Sequence, residues 1–179
     1  MAGEGAGLFF DLGAHMIDQA LQLFGTPEAL TADIGAQRDA AVVDDYFRLT
    51  LHFGGLRVNL SAATLIAAPR PRFAVYGTRG SLVKHGLDPQ EARLRDGVDP
   101  RVAGFGEEEP ETWGVLTGGD GAIERIETRA GCYRQFYSAI ADALLRGAPP
   151  PVDPADARQG LRIIELARES ARERRRIML

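Results

Sequence analysis

Cysteine and lysine each occur once in this sequence of 179 residues. Cys132 is alone, so no disulfide can form within the chain; this suits the reducing cytoplasm. We expect its side chain to be a small buried hydrophobe. Lys84 is the only lysine, and every other basic residue apart from the histidines is arginine. The cysteine count therefore excludes the class of small domains held together by disulfides.

A positive net charge and a membrane-length apolar run are missing as well. The formal net charge is -4, which argues against a nucleic-acid surface. No apolar run approaches the roughly 20 residues of a membrane helix. The segment Met1–Gly7 has neither the positive charge nor the apolar core of a signal peptide, and we expect a flexible, glycine-rich lead-in there. The sequence thus predicts a cytoplasmic protein without nucleic acid or membrane partners.

Motifs of nucleotide-binding folds are absent too. No G-x-G-x-x-G opens a β-α-β unit, and Gly3, Gly5 and Gly7 precede a helix but follow no strand. Neither a P-loop nor a G-x-S-x-G elbow occurs. We therefore expect no dinucleotide-binding domain within this chain.

What is present indicates one α+β domain over residues 1–179, since 45% of the residues are hydrophobic. Helical spacing of apolar residues predicts a first helix over Phe10–Phe24, ended by Gly25. Between Glu28 and His85 the apolar period changes to two, which is typical of strands exposed on one face. Two hairpins are predicted there, pairing Tyr46–Phe53 with Leu56–Ser61 and Arg72–Tyr76 with Ser81–Lys84.

The rest of the chain predicts an irregular stretch and two helices. Gly86–Gly121 is rich in glycine, proline and acids, and we expect it to be mobile or a covering loop, with a further hairpin turn at Gly118–Gly121. Asp153 and Pro154 are typical of the cap and first turn of the last helix. The predicted apolar stripes are Tyr133, Phe136, Tyr137, Ile140, Leu144 and Leu145 on one helix, and Leu161, Ile164, Leu166 and Ala167 on the other. The sequence predicts a mostly antiparallel open sheet with helices on one face and the other face free for dimerisation.

The first helix carries the only group of residues that suggests catalysis. Asp11, His15 and Asp18 are spaced by four and three residues, so they share one side of the helix. A carboxylate beside an imidazole favours proton exchange near neutral pH, with Asp11 orienting the ring or holding a hydroxyl and His15 taking the proton. In the structural alternative, Asp11 is a first-turn acid and His15 and Asp18 simply face water. In a third interpretation the three residues bind a divalent cation, which the positions of His52 and His85 do not support.

The segment Gly7–Asp18 resembles the G-x-x-x-D-x-G-x-H-x-x-D motif of the glucose–fructose oxidoreductase, inositol dehydrogenase and MocA family (Gfo/Idh/MocA). Tyr76–Ser81 is similar to the family's strand-turn-strand segment, and Lys84–Glu91 with Trp113-Gly114 resembles a subgroup related to NADP-dependent scyllo-inositol dehydrogenases. The resemblance continues through Tyr133, Phe136 and Tyr137 to the last helix.

The resemblance implies the C-terminal domain of a two-domain enzyme whose N-terminal Rossmann domain binds NAD(P). It implies that His15 is the general acid/base, that Asp11 holds substrate hydroxyls, and that the domain dimerises through its open sheet face. The Rossmann fingerprint and the family's E-K-P lysine are missing here, and Lys84 does not replace that lysine.

We therefore expect the substrate-binding half of a sugar or polyol dehydrogenase, inactive alone and binding no cofactor by itself. The alternatives are a non-catalytic binding or oligomerisation module, and an independent enzyme that uses Asp11 and His15. Trp113 either stacks on a sugar ring or anchors its loop, and we favour the anchor.

Overall fold

The structure, a computed structural model, describes residues 5–179. The segment Met1–Glu4, which includes most of the predicted lead-in, lies outside the described residues. The chain divides into two compact units, one comprising the described residues up to Ala67 with Val152–Leu179, and the other Ala68–Pro151. In chain order the helices and strands are α1 (Leu8–Phe24), β1 (Ala29–Gly35), β2 (Tyr46–Phe53), β3 (Leu56–Ala63), β4 (Phe73–Gly77), β5 (Gly80–Lys84), α2 (Gln90–Arg95), β6 (Gly114–Gly118), β7 (Ile123–Ile126), α3 (Tyr133–Arg146), α4 (Pro154–Glu173) and β8 (Ile177–Met178).

The first unit has one hydrophobic core, which α1 and α4 form against one face of a four-stranded sheet. The strand order is β3-β2-β1-β8, and all neighbours are antiparallel. Alternation along β2 buries Phe47, Leu49 and Leu51 completely, as the period-two pattern predicts. Burial of each such side chain contributes about 1.5–3 kcal/mol, so these three residues stabilise the unit.

Helix α1 buries fewer of its apolar residues than their helical spacing predicts. Its buried residues are Phe9, Gly13, Ile17 and Ala20. The apolar side chains of Leu12 and Leu23 are exposed instead. The helix ends at Gly25 as predicted, where φ is 75° and the glycine N–H donates to the Leu21 carbonyl.

Helix α4 begins as predicted, with the Asp153 carboxylate accepting the Ala155 N–H at 2.8 Å. Its predicted stripe is partly wrong, because Leu161 is 51% exposed whereas Ile163 is fully buried. Ser170 is also buried, where its hydroxyl accepts the Ala32 N–H and donates to the Arg175 carbonyl. The short strand β8, which pairs with β1 beyond the arginine-rich end of the helix, was not predicted from the sequence.

The second unit is built on another four-stranded antiparallel sheet, in the order β4-β5-β6-β7. The predicted α+β class, antiparallel pairing and hairpins are therefore confirmed, but the strands form two sheets rather than the single one expected. The predicted apolar stripe of α3 does not form a core, because no residue of this helix is buried. Cys132, expected to be buried, is exposed.

The stretch Gly86–Gly121 contains regular structure that its composition concealed, namely the short helix α2, a 3-10 turn at Pro110–Thr112 and strand β6. Buried Gln90 ties this stretch down: its amide nitrogen donates to the Asp88 carboxylate, and its amide oxygen accepts the Tyr133 N–H at 2.8 Å. No helix within residues 5–179 is long and apolar enough to cross a membrane.

Candidate functional site

The exposed side of α1 carries the residues that the sequence singled out. Asp11, His15 and Asp18 are all exposed, on the side of the helix away from its buried stripe. Among residues 5–179, none of these three side chains has a hydrogen-bond or ion-pair partner. The structure therefore brings the predicted trio to one accessible surface, where its polar atoms are free to meet a ligand.

The start of α1 is fixed by a residue far away in sequence. The Leu8 N–H donates to the Asp44 carbonyl at 2.9 Å, and the Phe9 N–H donates to the Asp44 carboxylate at 2.6 Å. Gly7 makes room for this contact, since its φ is 112° and a Cβ there would collide with the Asp44 carboxylate. These bonds explain why the helix begins at Leu8, two residues before the predicted start.

The next residue, Asp45, holds the loop that carries Asp44. Its buried carboxylate accepts the Arg38 side chain at 2.8 Å and the backbone N–H groups of Gln37 and Arg38. The hydrogen bond from the Arg38 side chain, followed by the Gln37 N–H, holds the pKa of Asp45 below its ordinary value. Neither aspartate was predicted from the sequence, although an Asp-Asp pair directly before a strand is a detectable signal.

The polar side of α1 is acidic and lacks basic side chains. The sequence of the helix contains no lysine or arginine, and its two carboxylates flank the imidazole. Carboxylates accept hydrogen bonds from hydroxyl groups, and a histidine can donate or accept a proton. This surface is thus suited to a neutral, hydroxyl-rich ligand and to proton exchange with one of its hydroxyls.

The other histidines do not join this surface. His52 lies on the sheet face opposite the core, where its Nε2 is 3.3 Å from the Thr31 hydroxyl. Burial, and then the positive charges of Arg176 and Arg57, hold its pKa below the ordinary value. His85 is an exposed residue of the second unit. Residues 5–179 contain no group of three histidine, cysteine, aspartate or glutamate side chains arranged to hold a metal ion.

Lys84 has a structural role in the second unit. Its ammonium group donates to Glu108 at 2.6 Å and to the His85 carbonyl at 2.8 Å. Burial alone would raise the pKa of Glu108, but hydrogen bonds from Lys84, Thr112 and Thr128 outweigh it and lower the pKa. The ion pair thus fastens β5 to the loop before β6.

An open cleft of about 510 Å³ lies beside this ion pair, within the second unit. Its lining includes Trp113, which is half-buried, together with Glu108 and Thr128. Trp113 thus lies next to the ion-paired loop and faces the cleft, and its role as an anchor stays a prediction. This cleft could not be predicted from the sequence, because its walls come from segments that are separated along the chain.

Comparison with known proteins gives the relatives of this chain. Residues 2–179 match the family described as "Oxidoreductase family, C-terminal alpha/beta domain". The chain is 42% identical over 180 residues to scyllo-inositol 2-dehydrogenase (NADP(+)) IolW of Bacillus subtilis (strain 168), covering 99% of this chain and 50% of that protein. It is 41% identical over 181 residues to the oxidoreductase YdgJ of Escherichia coli (strain K12), covering 99% and 51%.

Solved structures agree with the sequence relatives. A structure of the oxidoreductase yvaA of Bacillus subtilis superimposes with a TM-score of 0.94 at 41% identity, covering 100% of this chain and 53% of that one. The chain therefore spans about half the length of the relatives that it matches.

Proposed function

Because the chain belongs to the Gfo/Idh/MocA oxidoreductase family, as its C-terminal α/β domain, we propose that it is the substrate-binding part of an NAD(P)-dependent sugar or polyol dehydrogenase. The observation that carries this proposal is the exposed, unpartnered pair Asp11 and His15 within the family's motif. We place the protein in the cytoplasm, where its exposed free thiol would stay reduced.

In this proposal the cofactor is held elsewhere. Every strand pair formed by residues 5–179 is antiparallel, so these residues contain no β-α-β crossover whose helix could cradle a pyrophosphate. The residues present therefore do not fit a dinucleotide. A Rossmann domain, such as the family's full-length members carry, would hold NAD(P), and this chain would supply substrate binding and proton exchange.

The roles of the two residues follow from their chemistry. The His15 imidazole takes the proton of the reacting hydroxyl when the alcohol is oxidised and returns it in the reverse reaction. The Asp11 carboxylate, one helical turn earlier, accepts hydrogen bonds from substrate hydroxyls. Asp18 lies one turn further along, and we assign it no chemical step.

The first experiment joins this chain to the N-terminal half of the Bacillus subtilis relative and supplies NADP with a panel of inositols and sugars. We expect formation of reduced cofactor, and a loss of about 10²–10⁴-fold in kcat in His15→Ala because the proton acceptor is gone. Asp39→Asn, which neutralises an exposed carboxylate outside α1, is the control and should keep most of the activity. Equal activity of His15→Ala and the parent would contradict the assigned role.

A second candidate function is a module for binding or assembly without catalysis. The observation that favours it is α3, where Tyr137, Leu144 and Leu145 are each at least 70% exposed.

The outer face of the first sheet, by contrast, presents polar residues such as Thr31, Arg48 and Asn59, and so does not favour an apolar interface. We therefore propose that two copies associate through apolar surfaces of the second unit.

A further inference from the structure

The first turn of α1 has little intrinsic stability. Its cap residue is Gly7, which supplies no side-chain hydrogen bond, and Gly13 follows within the helix. A glycine cap offers no side-chain acceptor to the first N–H groups, and a glycine within a helix disfavours helix formation by about 1 kcal/mol relative to alanine. Asp11 belongs to this first turn, and His15 lies one turn further along. The placement of both side chains therefore depends on what holds the start of the helix.

We propose that Asp44 is a positioning residue for the Asp11–His15 pair, an inference that rests on the proposed function. Asp44 supplies both the carbonyl that accepts the Leu8 N–H and the carboxylate that accepts the Phe9 N–H. It thereby satisfies two of the four N–H groups that a helix start leaves without partners inside the helix. Its negative charge also lies at the positive end of the helix dipole, where it is favourable.

The support behind Asp44 is itself rigid. Asp45 accepts three hydrogen bonds from Gln37 and Arg38 and is 2% exposed. Its backbone N–H donates to the Gly35 carbonyl, and its carbonyl accepts the Thr64 N–H. Asp45 thus fixes the loop to the ends of β1 and β3. Because Asp44 is the preceding residue of this loop and binds the first N–H groups of α1, the start of the helix is fixed as well.

This arrangement distinguishes a positioning role from a merely stabilising one. Catalysis is sensitive to placement, and an error of about 1 Å in a reacting group can cost about 10²-fold in rate. Loss of the Asp44 carboxylate leaves the Phe9 N–H without its partner and loosens the first turn, although the Leu8 contact to the Asp44 carbonyl and the buried Phe9 side chain remain. It removes no side chain that touches substrate. The expected signature is a fall in kcat under conditions where the protein is still fully folded.

The test compares Asp44→Ala with Asp44→Asn in the reconstituted enzyme, at a temperature where circular dichroism shows both to be folded. Asp44→Ala should lower kcat by roughly tenfold or more, and Asp44→Asn should recover most of it because the amide oxygen still accepts the Phe9 N–H. Asp39→Ala, an exposed residue of the same loop, is the matched control. An unchanged kcat in Asp44→Ala overturns the proposal, even if the melting temperature falls.

Hydrogen exchange of the chain alone separates this inference from the proposed function. The amides of α1 near Asp11 should lose at least tenfold of their protection in Asp44→Ala and keep it in Asp44→Asn, while amides of β2 stay unchanged. If the reconstituted parent shows no turnover, the proposed function fails, and exchange alone decides whether Asp44 orders the first turn. If Asp44→Ala does not fold, Gly7→Ala replaces it, since its Cβ displaces the same carboxylate.

Discussion

At the scale of single residues, some carboxylates of this chain are exposed without a partner, and others are held by hydrogen bonds or ion pairs. Asp11 and Asp18 stand on an open surface, whereas Asp45 is buried and fully engaged. Glu108 is likewise held by Lys84. The carboxylates of Asp11 and Asp18 are thus accessible to a ligand, whereas those of Asp45 and Glu108 hold loops in place. Sequence spacing identified the available pair because helical periodicity is local, but the engaged residues depend on contacts made by folding.

The pKa shift of Asp45 predicts a loss of stability in acid. Its pKa in the folded protein lies below the ordinary 3.8, so its contribution is present above that value and is lost as the pH falls towards the lower, folded pKa. The difference in free energy of unfolding between the parent and Asp45→Asn should therefore shrink below about pH 4. Denaturant titrations over this range measure it, with Asp39→Asn as the exposed control. A difference that stays constant as the pH falls would contradict the assignment.

At the scale of elements, helix existence was easier to predict than the side that each helix buries. The spacing of apolar residues predicted all three long helices, and Gly25 and Asp153 predicted the end of α1 and the start of α4. The predicted stripe of α4 included Leu161 and omitted Ile163. Both positions are apolar and lie two residues apart, so only the contact with the sheet reveals which one is in the core.

Two alanine substitutions on α4 test this correction. Ile163→Ala should lower the free energy of unfolding by about 2–5 kcal/mol, because it leaves a cavity in the core beneath the sheet. Leu161→Ala removes a similar volume from an exposed position and should change it by about 0.5 kcal/mol or less. Urea unfolding of both variants measures the difference. Equal losses of unfolding free energy in the two variants would show that Leu161 and Ile163 are both part of the core.

At the scale of the whole molecule, the two units differ in how much apolar surface they leave uncovered. The first unit buries its apolar strand face under two helices, while the second leaves Val75, Tyr76 and Ile123 of its sheet more than half exposed. Val75 lies on one face of this sheet and Tyr76 and Ile123 lie on the other, so apolar side chains are exposed on both faces. The division into two sheets could not be predicted from alternation, since alternation reports burial along each strand but not which strands pair.

Association through α3 is a prediction about the assembled protein. Leu144→Arg and Leu145→Arg, made together, should shift the protein from dimer to monomer in sedimentation velocity, because they place charge in an apolar interface. Leu23→Arg, an exposed leucine of the first unit, is the control and should leave the dimer intact. A parent protein that is monomeric at high concentration would contradict the proposal directly.

The sequence alone determined the α+β class, the hairpins, most helix ends, the family and the exposed trio on α1. Each of these depends on residues close together in the chain, where periodicity and turn chemistry act. Only the tertiary structure decided the division into two sheets, the strand at Ile177–Met178, the bare face of α3 and the attachment of Asp44 to the start of α1. Those features arise from hydrogen bonds and packing between residues far apart in sequence, which no local pattern encodes.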